Sequence, residues 1–149
     1  KDSGGNEIVI DENTDYNVFL ENCTDAEKAE LKTFSDAFVD SYVLFTGNSN
    51  DKANANYHAL MEYVVSGSDL ASRMKMALDG LSYAQSKGDE VVSLTINRAI
   101  SLGDGRYICD VTYEVDTTGR NGVVRTTTNV QIIVVRTEDG MKAESLNIY

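Results

Sequence analysis

The sequence predicts an α+β domain in which helices come first and an antiparallel sheet follows. Three observations carry that assignment. From Leu31 to Leu81 apolar residues recur three and four positions apart, the period of helices packed on one face. After Gly88 they alternate with polar residues at the two-residue period of strands. The alternating stretches are joined by short runs of Gly, Asn and Asp, far shorter than a parallel crossover needs, so the strands should form a meander.

Residues 1–23 read as an acidic N-terminal arm or tether, and 24–149 as one α+β domain. The first 30 residues hold nine acidic and two basic side chains, a net of −7 within a total of −11. Two apolar triplets, Ile8-Val9-Ile10 and Val18-Phe19-Leu20, could dock the arm on the body. Thr24-Asp25-Ala26-Glu27 is a capping box, in which hydroxyl and carboxylate each satisfy an orphan backbone donor. Leu31, Phe34, Phe38, Tyr42 and Phe45 then share a helix face, and Gly47 with Asn48-Ser49-Asn50 ends it. A second helix is expected over about 51–65, with Tyr57, Leu60, Met61 and Val64 inward. Ser66-Gly67-Ser68-Asp69 separates it from a third, striped by Leu70, Met74, Ala77, Leu78 and Leu81.

The first strand is expected to align Val92, Leu94, Ile96, Arg98, Ile100 and Leu102 on one face, and Gly103-Asp104-Gly105 to turn it. The second carries Tyr107, Cys109, Val111, Tyr113 and Val115 on one face, with Asp110, Glu114 and Asp116 on the opposite, solvated one. Asn121-Gly122 supplies a hairpin turn. A long strand from Val123 to Thr137 turns through Glu138-Asp139-Gly140 into a last one, Met141 to Tyr149. The stretch 130–135 is apolar on both faces. Ile133 and Val135 therefore need a cover, either the arm or a second subunit.

Composition narrows the function. With 149 residues, an apolar fraction of 42% and pI 4.4, the chain can build a core but carries the wrong sign for nucleic acid or an anionic membrane. No run of apolar residues approaches the ~20 of a membrane span. The polar opening Lys1-Asp2-Ser3-Gly4-Gly5-Asn6-Glu7 reads as the tether after a removed signal peptide, pointing to a secreted or lipid-anchored protein of the bacterial cell envelope. Cys23 and Cys109 fit no metal pattern; they are either a disulfide or two buried thiols. No phosphate loop, zinc motif or calcium loop occurs, so no cofactor and no metal are expected.

Few residues suggest chemistry. His58, the one histidine, is a general base if it points inward, or the edge of a buried helix face if it does not. Arg98 breaks an apolar row, and a charge there needs a partner or solvent. It is either a cationic anchor at a pocket mouth, binding a carboxylate ligand with Tyr107 or Tyr113, or a residue that a bulge near Asn97 or the sheet rim turns outward.

Three helices followed by a curved meander resemble the nuclear transport factor 2-like superfamily, with its cystatin-like α+β cone. The resemblance covers about residues 32–149. It rests on element order, on the first helix ending at Phe45-Thr46-Gly47-Asn48-Ser49-Asn50-Asp51, and on Val134-Val135-Arg136-Thr137-Glu138-Asp139-Gly140-Met141-Lys142-Ala143. Exported bacterial lipoproteins are the most similar members. The resemblance implies a cone whose wide end enzymes of the superfamily use for proton transfer, with an Asp or Asp-His base and a Tyr or carboxylic acid at the oxyanion.

The expected function is therefore non-enzymatic binding or assembly outside the cytoplasm, with a protein partner or a second copy on Ile133 and Val135, and ligand contacts at Arg98, Tyr107 and Tyr113. The alternative is a small cone-pocket isomerase or cyclase acting on a hydrophobic small molecule. Phe34, Phe38 and Ile96 filling the cone would speak against the enzyme; Arg98 and His58 facing one cavity would speak for it.

Overall fold

The computed structural model describes residues 21–47, 52–80 and 88–149. Docking of the two apolar triplets, the Asn48-Ser49-Asn50 helix stop and the inward placing of Leu81 lie outside the described residues.

Helix α1, Asp25–Gly47, starts where the capping box places it. The Glu27 amide donates to Thr24 Oγ1 at 3.1 Å, and the Thr24 amide donates to Glu27 Oε1 at 2.8 Å. Its buried face carries Leu31, Phe34, Phe38 and Phe45 as expected, and also Val39 and Val43, while Tyr42 is half-buried. Phe34 and Phe38, one turn apart, stack with centroids 5.6 Å apart. Gly47 serves close approach: a Cβ there would fall on the Asp89 carboxylate.

Helix α2, Ala53–Met61, is shorter than the periodicity predicts. The reason is a competing partner for its backbone. The Val65 amide donates to the Ala143 carbonyl at 2.8 Å, and the Ala143 amide donates to the Tyr63 carbonyl at 2.7 Å. Residues 63–65 thus leave the helix to cover a sheet edge, and Val64 is buried there rather than on a helical stripe. Helix α3, Asp69–Gly80, is capped by Ser68, whose Oγ accepts the Ala71 amide. Leu70 and Met74 are its buried residues.

Strands β1 (Gly88–Gly103), β2 (Arg106–Gly119), β3 (Gly122–Thr137) and β4 (Gly140–Ile148) form one antiparallel sheet in the order β1-β2-β3-β4. The β1–β2 turn needs three left-handed residues in a row, Gly103, Asp104 and Gly105, at φ 85°, 54° and 76°.

The expected apolar row of β1 does not form, because β1 slips register at Val92, Asn97 and Leu102. The slip at Asn97 sets Ile96 opposite Val111 and Arg98 opposite Asp110, so Leu94 and Ile96 face the helices while Arg98 and Ile100 face away. One cluster fills the concave side, with α1, Leu60, Val64, Leu70 and Met74 packed on Tyr107, Cys109, Val111, Tyr113, Val130, Ile132 and Leu146.

Two predictions follow from α1. Ser35 is fully buried, and its Oγ has no hydrogen-bond partner among the described residues. Ser35→Ala removes an unsatisfied hydroxyl and improves helix propensity, so it should raise stability by about 1 kcal/mol, seen as a higher melting temperature. A lowered one would mean the hydroxyl is bonded. The Glu27 carboxyl is held below its usual range by the Thr24 amide and then by the Tyr107 hydroxyl, so its stabilisation is full above the unfolded-chain value and fades as pH falls through the depressed one. Glu27→Gln keeps the box but not the charge. It should cost about 0.5 kcal/mol at neutral pH, with the gap to wild type closing on acidification in denaturant titrations.

Candidate functional site

The concave side is where an enzyme of this shape would work, and here it is packed. Phe38 and Val39 from α1 and Leu60 from α2 meet Val111, Val130, Ile132 and Leu146 from the sheet, all without significant exposure. Phe34 is buried beside them and Ile96 packs against the same cluster. Besides the Ser35 hydroxyl and the Cys109 thiol, the polar groups inside are tyrosines. Burial, then the neighbouring Tyr42, pushes the Tyr113 hydroxyl up to about 12, which the Thr128 side chain partly opposes. Tyr42 is raised by burial as well, with Arg73 lowering it. Both hydroxyls are thus held neutral in the interior, Tyr113 feeling Tyr42 and Tyr42 feeling Arg73. Tyr107, further along β2, donates from its hydroxyl to Glu27 Oε2 at 2.9 Å.

His58 is exposed on α2, in edge contact with Tyr57, and does not enter the interior. Arg98 lies on the opposite face of the sheet from Tyr107 and Tyr113, so the three do not converge. Arg98 Nε donates to Asp110 Oδ2 at 3.0 Å, and Gln131 Nε2 donates to Asp110 Oδ1 at 3.0 Å. Its strand face predicts a solvated Asp110; it is instead buried, at 8% exposure, because Arg98 and Gln131 close over it. Glu114 and Asp116 share that face, accepting hydrogen bonds from Ser93 and Arg125. Asn97 donates to Thr112 and Thr112 to Asn129, both at 2.7 Å. The distal half of the outer face is therefore a bonded polar ladder.

Two surface depressions lie among the described residues. One, of about 450 Å³, is lined by Ala29, Glu30, Thr33, Phe34 and Met141. The other, of about 330 Å³, holds Asp40, Asp89 and Glu90 with Val43, Leu44 and Val91. Burial, then Asp36 and Glu90, raises the Asp40 carboxyl. None of His58, Arg98, Tyr107 or Tyr113 lines either. Among the described residues no group of three or more His, Cys, Asp or Glu side chains is placed to hold a metal ion.

The sheet edges are treated unequally. The β4 edge is bonded to residues 63–65. On the β1 edge Glu21 accepts the Ala99 amide, and Asn22 accepts the Ser101 amide and donates back to the Ser101 carbonyl. Three register slips disrupt the rest of β1. β3 differs. Its last bond to the β4 side runs from the Tyr149 amide to the Asn129 carbonyl, and pairing with β4 begins at Val130. Residues 122–128 continue in unbroken register with β2, and nothing among the described residues pairs with their other edge. Val123 and Val124 are 60% and 63% exposed. Sequence reasoning missed this edge, although its signal was present: the strand expected from Val123 is longer than the Met141–Tyr149 strand that must cover it.

No family model and no curated relative matches the chain in sequence. Solved structures do match in shape. An IcmL-like type IV secretion system protein from Legionella pneumophila aligns at TM-score 0.62 and 10% identity over 82% of this chain and 91% of that one. The periplasmic domain of DotI aligns at 0.57 and 13%, over 86% and 96%. An NTF2-like protein involved in plasmid conjugation aligns at 0.54 and 10%, over 78% and 46%. Three helices followed by a four-stranded antiparallel meander give this chain the same nuclear transport factor 2-like α+β fold. Among the described residues no helix is long and apolar enough to cross a membrane.

Cys23 is half-buried and Cys109 buried, and both are free thiols. Burial pushes the Cys109 thiol up to about 12, with smaller contributions from Cys23 and Asp110. At pH 8 it stays protonated, so a thiol-disulfide reagent should label it roughly a hundredfold more slowly in the folded chain than in denaturant. Equal rates would place Cys109 outside the core.

Proposed function

We propose that the protein is a non-enzymatic, extracytoplasmic assembly domain, held by an N-terminal tether, that binds another protein through the open edge of β3. The observation that carries this reading is the seven-residue overhang 122–128, regular, exposed over 122–127 and without a pairing strand on its other edge among the described residues. Because the Asn129 carbonyl faces the β4 side, Val123, Arg125 and Thr127, at even spacing from it, present their N–H and C=O groups to that same open edge. A row of such groups is a template for an added strand, and the chain protects its other two edges from that use. Extracytoplasmic assembly is supported by shape-matched proteins described as a periplasmic domain and as secretion or conjugation components.

Self-association on Ile133 and Val135 is the weaker route. Ile133 keeps 7% of its surface and Val135 is half-buried, so they offer a second copy little apolar surface. The isomerase or cyclase alternative has less support, because His58 is exposed on α2 and Arg98 faces away from Tyr107 and Tyr113. A ligand anchored jointly by Arg98, Tyr107 and Tyr113 would have to touch both faces of the sheet.

The test is a photoreactive residue at position 123 or 127 of the full chain in its own cell. A protein adduct from either position is expected, a second copy of the chain being one outcome. Thr127→Pro should abolish the adduct from position 123, and Val123→Pro that from position 127, while leaving the melting temperature within about 2 °C, because the lost N–H points to the open edge. No adduct from either position, or an unchanged adduct in a proline variant, would overturn the reading.

A further inference from the structure

The chain carries two cysteines, and the proposed binding edge uses neither. Their surroundings bring them to one place. The Asn22 side chain is bonded to the main chain of Ser101 on β1, and Glu27 accepts from the Tyr107 hydroxyl on β2. Ser101 and Tyr107 face each other across the β1–β2 ladder. The next pair on the same concave face is Ala99 and Cys109, and Glu21 accepts the Ala99 amide. The stretch 21–27 is thus fixed to three of the four residues in these two pairs, and the fourth is Cys109. Cys23 lies within that stretch and packs against the cluster to which Cys109 belongs. We infer that Cys23 and Cys109 are a redox pair, closed to an intramolecular disulfide by exchange with an external disulfide.

Exposure sets the order of steps. Cys23 is half-buried and Cys109 fully buried, so Cys23 meets the oxidant first. Its thiolate attacks one sulfur of the external disulfide, the other sulfur leaves as a thiolate, and a mixed disulfide remains on Cys23. The Cys109 thiolate then attacks Cys23 Sγ and expels the second external thiolate. One S–S bond forms inside the chain as the external one breaks. The chain gives up two electrons and two protons, and the external disulfide takes both up as two thiols. Burial makes Cys109 the slow partner, and Cys23 is the first neighbour to act on it after burial itself, which agrees with their closeness. The same burial shields a closed bridge from external thiols. Closure also has a structural consequence. Glu21 and Asn22 cover part of the β1 edge by side-chain hydrogen bonds alone, and the bridge ties that cover to β2 covalently. By enclosing the chain between 23 and 109 it restricts the unfolded state as well.

The pairing is independent of the β3 edge; only its oxidant in the cell rests on the extracytoplasmic location proposed above. It is tested on the purified, reduced full chain, incubated with oxidised glutathione at pH 8 without denaturant and weighed intact under non-reducing conditions. The expected product is a monomer two hydrogens lighter than the reduced chain and free of glutathione. Its melting temperature should be raised by roughly 10 °C, and a reductant should reverse the rise. Cys109→Ala should instead retain one glutathione, on Cys23, and Cys23→Ser should take up none over the same period. The wild-type mass decides the matter even if a variant does not fold. Wild type that keeps glutathione on Cys23 would overturn the inference, because the fold would then hold the two sulfurs apart. So would two free thiols after prolonged incubation, a bridge formed only between chains, or closure seen only in denaturant.

Discussion

The fold depends on one packing event, the seating of the α1 aromatic and valine face in the concavity of the sheet. Phe38, Val39 and Phe45 are essentially removed from water, each worth about 1.5–3 kcal/mol of transfer free energy. An enzyme built on this cone must give up part of that gain, since an empty apolar cavity forgoes both transfer and dispersion energy. Here the volume between helix and sheet is occupied by the protein itself. The β3 edge proposed for binding lies outside that packed volume.

The same constraint shapes β1. A sheet that wraps a helix must curve, and bulges supply curvature at the cost of regular pairing. β1 has three register slips, and the one at Asn97 has two consequences. It turns Arg98 out of the core toward Asp110, where a charge is compensated. It also leaves β1 a poor template for another strand. Residues 63–65 do the equivalent for β4 by leaving α2 early. The overhang of β3 has neither device; its only charged residue, Arg125, is engaged by Asp116. Natural sheets guard such edges, so one left regular and β-branched reads as a surface in use.

Local chemistry made much of this legible in the sequence. The Thr24–Glu27 box, the Gly103–Gly105 turn and the meander order depend on residues within a few positions of one another, and the structure contains all of them. What escaped depends on distant partners. The end of α2 is decided by Ala143, some eighty residues on. The slip at Asn97 shifts the β1 faces in a way no two-residue period contains, although Arg98 in an apolar row was its visible trace. Burial of Asp110 needed Arg98 and Gln131 from both neighbouring strands. The pairing of Tyr42 with Tyr113 joins a helix to a strand seventy residues later.

Side-chain bonding on the outer face bears on how a partner could be read. The Asn97–Thr112–Asn129 chain and the Arg125–Asp116 pair satisfy one another, leaving few strong donors or acceptors to offer outward. A partner approaching the distal half therefore meets saturated side chains beside unsaturated main chain. Main-chain pairing supplies affinity with little regard for sequence, and selectivity must come from side chains flanking the added strand. Val123 and Val124 point to opposite faces of β3, so an added strand meets an apolar side chain on each side. Arg125 shares the outer face with Val123, and with its guanidinium already held by Asp116 it penalises a partner that sets another cation opposite it. A strand added at this edge would thus meet apolar side chains on both faces and a held cation on the outer one.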